Sequence, residues 1–357
     1  MFYHTYAELL FNILIWLLLL FVNFNVLNSS FPRFCSTYKV FFVLTVVFST
    51  WGFITGDYFH YKEIFYSLSR YNDMHHLEPI YLYLAKIVNG NYTIWRFVIW
   101  ATSLLLYIAI MRMLHVRADI GSLCFALFSM FYFCSHRQTL AFCIVFLAVI
   151  LLLDTNKKFL FKLLAMGLLI VSISFHRSMP IYIVLIIISL IPLNRYAYVA
   201  IICAFPLLYY NFDNILAFIV DSAFVGQDLT KSYIESDFRV FATIWGKIAN
   251  VITQLPVYLL LIFAIYKTTF QRTDKLPYVV TVFLQMSFWQ IYLSHLLLNQ
   301  DLSSFLAPRF REDSLITMGI FYSAYIMKSK PTLLVKVLLS MLLFSNVFIY
   351  SYARYKL

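Results

Sequence analysis

Charge is scarce in this sequence: 12% of its 357 residues are Asp, Glu, Lys or Arg, against about 25% in an ordinary soluble domain. Because 62% of the residues are hydrophobic as well, a water-soluble core cannot absorb the apolar side chains. Glycine is also rare, at 8 residues, with 9 prolines. That leaves little sequence for the broken helices on which secondary transporters are built. The five cysteines, Cys35, Cys124, Cys134, Cys143 and Cys203, form no C-x-x-C pair and have no histidine at metal spacing, so they read as small core hydrophobes. No D-x-D sequence occurs, Glu235-Ser236-Asp237 being the nearest approach. A metal-bound diphosphate is therefore not indicated, and neither a metal nor a cofactor is expected. No basic and aromatic module accompanies the basic pI, so nucleic acid is not an expected partner.

What the chain does have is apolar blocks, each close to the roughly 20 residues with which a helix crosses a hydrocarbon core about 30 Å thick. A transmembrane barrel would alternate apolar and polar residues, whereas Ile13 to Val22 and Phe142 to Leu153 are apolar all round. The first block, Leu9 to Leu27, lacks a basic flank and ends in Asn28, Ser29 and Ser30 rather than at a small-residue cleavage site, so it is expected to stay as a membrane helix. The expected spans are 8–28, 38–56, 93–112, 118–135, 138–153, 159–175, 179–193, 196–212, 247–266, 277–298, 312–327 and 332–352. The fold class is thus an all-α polytopic membrane protein of about 12 transmembrane helices (about 10 to 13). It reads as a single integral membrane domain over residues 1–357, with long outer loops at about 57–95 and 213–247.

Charge orients it. If the connection holding Arg33 and Lys39 is inside, alternation puts Arg112, Arg117, Lys157, Lys158, Lys162, Arg195, Lys267, Arg272, Lys275, Lys328, Lys330 and Lys336 there too. Only Asp119, Asp154 and Asp274 join them, so the inside carries the chain's whole net charge of +11. The positive-inside rule then leaves both termini outside. Two outer segments are long. The first, Asp57 to Trp95, is rich in tyrosine and holds a semi-apolar run, Pro79 to Val88, too short to span; the run is expected in the interface or re-entering. The second, Asp213 to Lys247, is the most polar stretch of the chain.

Topology does not require cations on the outer side, so those hugging helix ends call for another explanation. Arg137 stands in Ser135-His136-Arg137-Gln138, Arg177 in Phe175-His176-Arg177-Ser178 and Arg309 in Ala307-Pro308-Arg309-Phe310. One reading has the three guanidiniums converge on a diphosphate at the outer leaflet, since guanidinium is always charged and grips phosphate oxygens bidentately. The other has each snorkel to headgroups or pair with an outer acid such as Asp301 or Glu312. His136 and His176 are candidate bases or hydrogen-bond donors. Asp57 and Glu78 are candidates to take a proton from a sugar hydroxyl, or else helix caps and solvated loop acids. Tyr58 and Tyr61 are candidates to stack on sugar rings, with Gln138 as a further sugar contact; an interfacial aromatic belt accounts for the tyrosines equally well.

At these residues the sequence resembles the EpsG-like branch of the Wzy-type polysaccharide polymerases. Gly56-Asp57-Tyr58, the tyrosine-rich loop and Glu78-Pro79 resemble the start of that family's first outer loop. Arg137-Gln138 with Leu140-Ala141 resembles its R-Q-G-I-A element, with Thr139 in place of the glycine, and Phe175-His176 with Ser178 resembles its F-H-x-S element. The resemblance implies a multi-pass protein of the bacterial cytoplasmic (inner) membrane with its active site facing the periplasm or exterior. It implies a membrane glycosyltransferase that joins oligosaccharide repeat units, carried on polyprenyl diphosphate, into O-antigen, capsule or exopolysaccharide, with a chain-length regulator protein as a possible partner. The rival readings are a lipid-linked oligosaccharide flippase, which would want midplane charges, a membrane acyltransferase modifying surface sugars, and a ligase, which shares the chemistry but differs in acceptor.

Overall fold

The computed structural model describes residues 78–117, 136–154, 158–176, 178–221, 244–271, 276–296, 303–329 and 331–342 apart from 155 and 157, with Phe65, Asn156 and short pieces at 120–121, 124–125 and 128. Among these residues every regular element is helical. They are α1 (Pro79–Ile87), α2 (Tyr92–Met113), α3 (His136–Leu153), α4 (Phe159–Phe175), α5 (Met179–Ser189), α6 (Arg195–Asp221), α7 (Ile244–Ile265, continuing as a π turn over Tyr266–Gln271), α8 (Tyr278–Leu296), α9 (Ser303–Lys328) and α10 (Leu333–Leu342).

The short run after Glu78 forms a helix for local reasons. Glu78 is extended and Pro79 follows at the first helical position, where its missing N–H costs nothing. The helix is about 13 Å long, less than half a hydrocarbon core. It stops because Asn89 and Gly90 turn left-handed (φ 50° and 70°), and the Gly90 N–H closes on the Ala85 carbonyl at 2.9 Å. Asn91 then caps α2, its side chain accepting from the Ile94 N–H at 3.1 Å.

Contact within the fold divides the chain into two compact units, one made of Met1–Val184, Leu276–Val280 and Gly319–Leu357, the other of Leu185–Lys275 and Thr281–Met318. In the first unit α3 is the central helix: nearly every side chain from Gln138 to Leu151 is buried, and α2 and α4 pack on it. The outer helix α4 shows what surrounds the unit. It buries only Ala165 and Ser172, seven residues apart on one stripe, while Phe159, Leu160, Leu163, Leu164, Met166 and Ile170 face outward. A helix apolar on its exposed side and small-residued on its packed side is built for lipid, where close backbone approach rather than hydrophobicity drives association. With the charge pattern, this makes the chain a helical membrane protein. Among the described residues α2 alone is long and apolar enough to cross a membrane by length and composition.

In the second unit α8 and α9 are joined by polar side chains. The Ser287 hydroxyl meets that of Thr317 and reaches the Ser314 carbonyl at 3.3 Å, and Thr317 donates to Gln290 Oε1 at 3.1 Å. Tyr292 of α8 donates to the Ile201 carbonyl of α6 at 2.9 Å. Where water is absent such hydroxyls must find partners within the protein.

Several boundaries differ from the sequence reading. Helix α6 runs on to Asp221, so 213–221 is helix rather than loop: hydropathy ends a span at the first polar residues, but backbone hydrogen bonding does not. By the same logic α9 starts at Ser303 rather than 312, placing Arg309 in its second turn instead of ahead of it. Helix α5 ends at Ser189, short of 193, because the buried Gln285 amide, donating to the Ser189 and Ile191 carbonyls (2.7 and 2.8 Å) and accepting from the Leu193 N–H (3.0 Å), holds the chain in an unwound turn. Cys124 and Cys143 are core residues as expected, but Cys203 is exposed, on a face of α6 that also exposes Val199 and Ile202. The spans 8–28 and 38–56 and most of 118–135 lie outside the described residues.

Glycine 319 stands at a tightly packed point of the first unit. A Cβ there would stand 3.2 Å from both the Phe128 Cβ and the Tyr107 hydroxyl, whereas one at Gly167 of α4 would meet nothing within 4 Å. Gly319→Leu should therefore destabilise by about 1–3 kcal/mol or more through overpacking, while Gly167→Leu is tolerated. Thermal unfolding of the two variants in detergent checks this, and equal melting temperatures would refute it.

Candidate active site at the amino end of α3

Arg137 stands in the first turn of α3, about 24 Å along its axis from Leu153. There its guanidinium Nη1 forms an ion pair with Oε2 of Glu78, the residue that precedes α1. Both side chains are largely covered, at 13% and 8% exposure. Tyr81, one turn into α1, completes the contact: its hydroxyl donates to the Arg137 carbonyl at 2.8 Å, and the Arg137 guanidinium lies 5.7 Å from its ring centroid. Tyr81 is in turn held edge-on by Trp95 (5.6 Å) and Phe175 (5.8 Å). The cage of Phe65, Tyr81, Ala85, Tyr92, Trp95, Ile99, Leu140 and Ile144 is thus the apolar floor of a charged pair.

Phe175 ends α4, and His176 is its C-cap. The His176 Nδ1 takes the Ser178 backbone N–H at 3.3 Å and stands 2.6 Å from the Ser178 hydroxyl. A ring nitrogen that accepts from a backbone N–H carries no hydrogen, so the neutral ring bears its proton on Nε2. That gives the F-H-x-S spacing a physical meaning: Ser178 fixes the tautomer, and His176 presents a donor rather than a base.

The structure therefore gathers Glu78 and Arg137 at Tyr81, and packs Phe175, the neighbour of His176, against the same ring. Gln138 is 2% exposed and sits within the helix packing. His136 and Arg309 lie on α3 and α9, and nothing further is described of their side chains; Asp57, Tyr58, Tyr61 and Arg177 lie outside the described residues. Sequence reasoning took Tyr81 only as one of the tyrosines of Asp57 to Trp95 that could stack on sugars, although it falls three residues after Glu78 on the same helical face. It passed over Arg96, a fully covered cation over the Tyr92 ring (5.8 Å), and over Asp313 of α9, a completely buried carboxylate.

Chemically, a guanidinium offers five donors in a planar fork, so a second oxyanion can bind at another edge of the fork that Glu78 already orients. Among the described residues no group of three or more His, Cys, Asp or Glu could hold a metal ion. Within the described part of the site Arg137 supplies a positive charge. The sequence pattern of the EpsG family matches residues 34–356. No curated protein and no solved structure matches the chain.

Proposed function

The chain belongs to the EpsG family, and on that premise we propose that it polymerises polyprenyl-diphosphate-linked oligosaccharide repeat units on the outer side of a bacterial cytoplasmic membrane. The observation that carries the reading is the Arg137–Glu78 pair, a nearly buried, pre-oriented guanidinium at the amino end of the central helix. The acceptor sugar hydroxyl attacks the anomeric carbon of the donor, the bond from that carbon to the phosphate oxygen breaks, and polyprenyl diphosphate leaves. Arg137, with Arg177, neutralises the charge that develops on the diphosphate. His176 adds an N–H donor. Asp57 takes the hydroxyl proton, because Glu78 is engaged with Arg137, and Tyr58, Tyr61, Gln138 and His136 line the sugars. The surrounding bilayer presents the lipid carriers, and a chain-length regulator is the expected protein partner.

Deletion of the gene should leave surface glycan of one repeat unit. Loss of every exported unit would instead mark a flippase, and full-length chains lacking a substituent an acyltransferase. Orientation is tested by unique cysteines: one in 222–243 should be labelled by an impermeant reagent in intact cells and one beside Lys158 should not. Labelling beside Lys158 would move the site to the inner face.

A further inference from the structure

The second unit holds a polar cluster that the sequence did not advertise. On α7, the Tyr258 hydroxyl donates to Gln254 Oε1, one turn back, at 2.8 Å, and the same oxygen lies 2.7 Å from Nε2 of His295 on α8. The Arg311 guanidinium of α9 lies close enough to both Tyr258 and His295 to act on them electrostatically. All four side chains are half-buried, so the cluster opens at a surface. Hydrogen accounting assigns the donors. An amide carbonyl has no hydrogen, so the tyrosine proton goes to Gln254; the Tyr258 oxygen then accepts from His295 Nε2–H. The neutral ring of His295 is left with Nδ1 as an acceptor.

Depth adds a second argument. His295 lies about 25 Å along α8 from Tyr278, and Arg311 about 25 Å along α9 from Lys328, near one boundary of a core about 30 Å thick. A permanent cation at that depth calls for an anion, and among the described residues no carboxylate forms an ion pair with Arg311.

We propose that Gln254, Tyr258, His295 and Arg311 form a binding site for a phosphorylated sugar headgroup, with Arg311 on a phosphate oxygen and His295 Nδ1 accepting a sugar hydroxyl. Tyr258 is a positioning residue that fixes the imidazole beside Arg311. The choice of a sugar phosphate rests on the polymerase reading above, but binding is measured without turnover, so either can fail alone.

The test is equilibrium dialysis of glucose 1-phosphate against the full-length protein in phosphatidylcholine nanodiscs. Arg311→Gln should remove one equivalent of binding or weaken it roughly ten- to a hundredfold, as loss of a charge-assisted hydrogen bond does; Arg311→Lys should retain part of it. His295→Gln, whose amide still donates to Tyr258, should abolish the preference for glucose 1-phosphate over inorganic phosphate while leaving phosphate bound. Tyr258→Phe should weaken binding with its stoichiometry intact. Unchanged stoichiometry and affinity in both Arg311 variants would overturn the site. So would displacement of glucose 1-phosphate by phosphatidylglycerol doped into the discs, which would make the cluster a lipid-headgroup anchor. If Arg311→Gln does not reach the membrane, the Arg311→Lys and His295→Gln arms decide.

Discussion

Arg137→Ala should abolish long glycan chains in a strain that otherwise makes them. If the guanidinium stabilises the leaving diphosphate, its loss removes about 2–4 kcal/mol of transition-state stabilisation, or roughly a 30- to 1,000-fold slower transfer. Arg137→Lys keeps the charge but loses the planar fork that grips Glu78 and phosphate together, so it should restore polymerisation only in part. A merely snorkelling arginine would behave otherwise, since lysine snorkels equally well and would rescue fully. Chain length is read on gels of surface glycan at matched membrane levels of protein. Wild-type chains in the Ala variant would remove Arg137 from the chemistry.

The pairing with Glu78 changes how that experiment is read. Both side chains are largely buried, and truncating one partner of a buried pair strands the other's charge, at about 3–5 kcal/mol. A loss of function in the Ala variant therefore mixes chemistry with folding, which is why matched membrane levels and the Lys variant are both needed.

The membrane class was legible because apolar side chains have nowhere else to go, and the run after Glu78 was legible as too short to span, as the nine residues of α1 are. Topology and side-chain chemistry drew attention to Glu78, Arg137 and His176, but not to their contacts. Glu78 and Arg137 are 59 positions apart, and no periodicity links a loop acid to the first turn of a later helix. The sequence reading sought acid partners for its outer arginines at Asp301 and Glu312, whereas Arg137 pairs with a residue already named as a base. Helix ends were misplaced wherever hydropathy and hydrogen bonding part company, as at Asp213 and Ser303. The Tyr258 cluster escaped because its members come from three helices and none stands out alone: a tyrosine, a glutamine, a histidine at a helix end, and an arginine two positions from the one that was chosen.

Glu78 gives the sharpest separation of roles. As a positioning group, its carboxylate need only accept from Arg137, and the amide oxygen of Glu78→Gln does that, so this variant should keep chains several repeat units long with a rate reduced by about tenfold, the cost of a weakened charge-assisted contact. Glu78→Ala offers no acceptor and leaves a buried guanidinium uncompensated. It should lower the amount of folded protein in the membrane by the full penalty of about 3–5 kcal/mol. Pairing it with Arg137→Leu removes the stranded charge, so the double variant should recover membrane levels yet make no polymer, because the cation that faces the diphosphate is gone. A base behaves differently. It must carry a negative charge to take the acceptor proton, so if Glu78 were the base, Glu78→Gln would stop polymerisation outright at wild-type protein levels. That result would transfer the proton-accepting role from Asp57 to Glu78 and require the ion pair to open in each cycle.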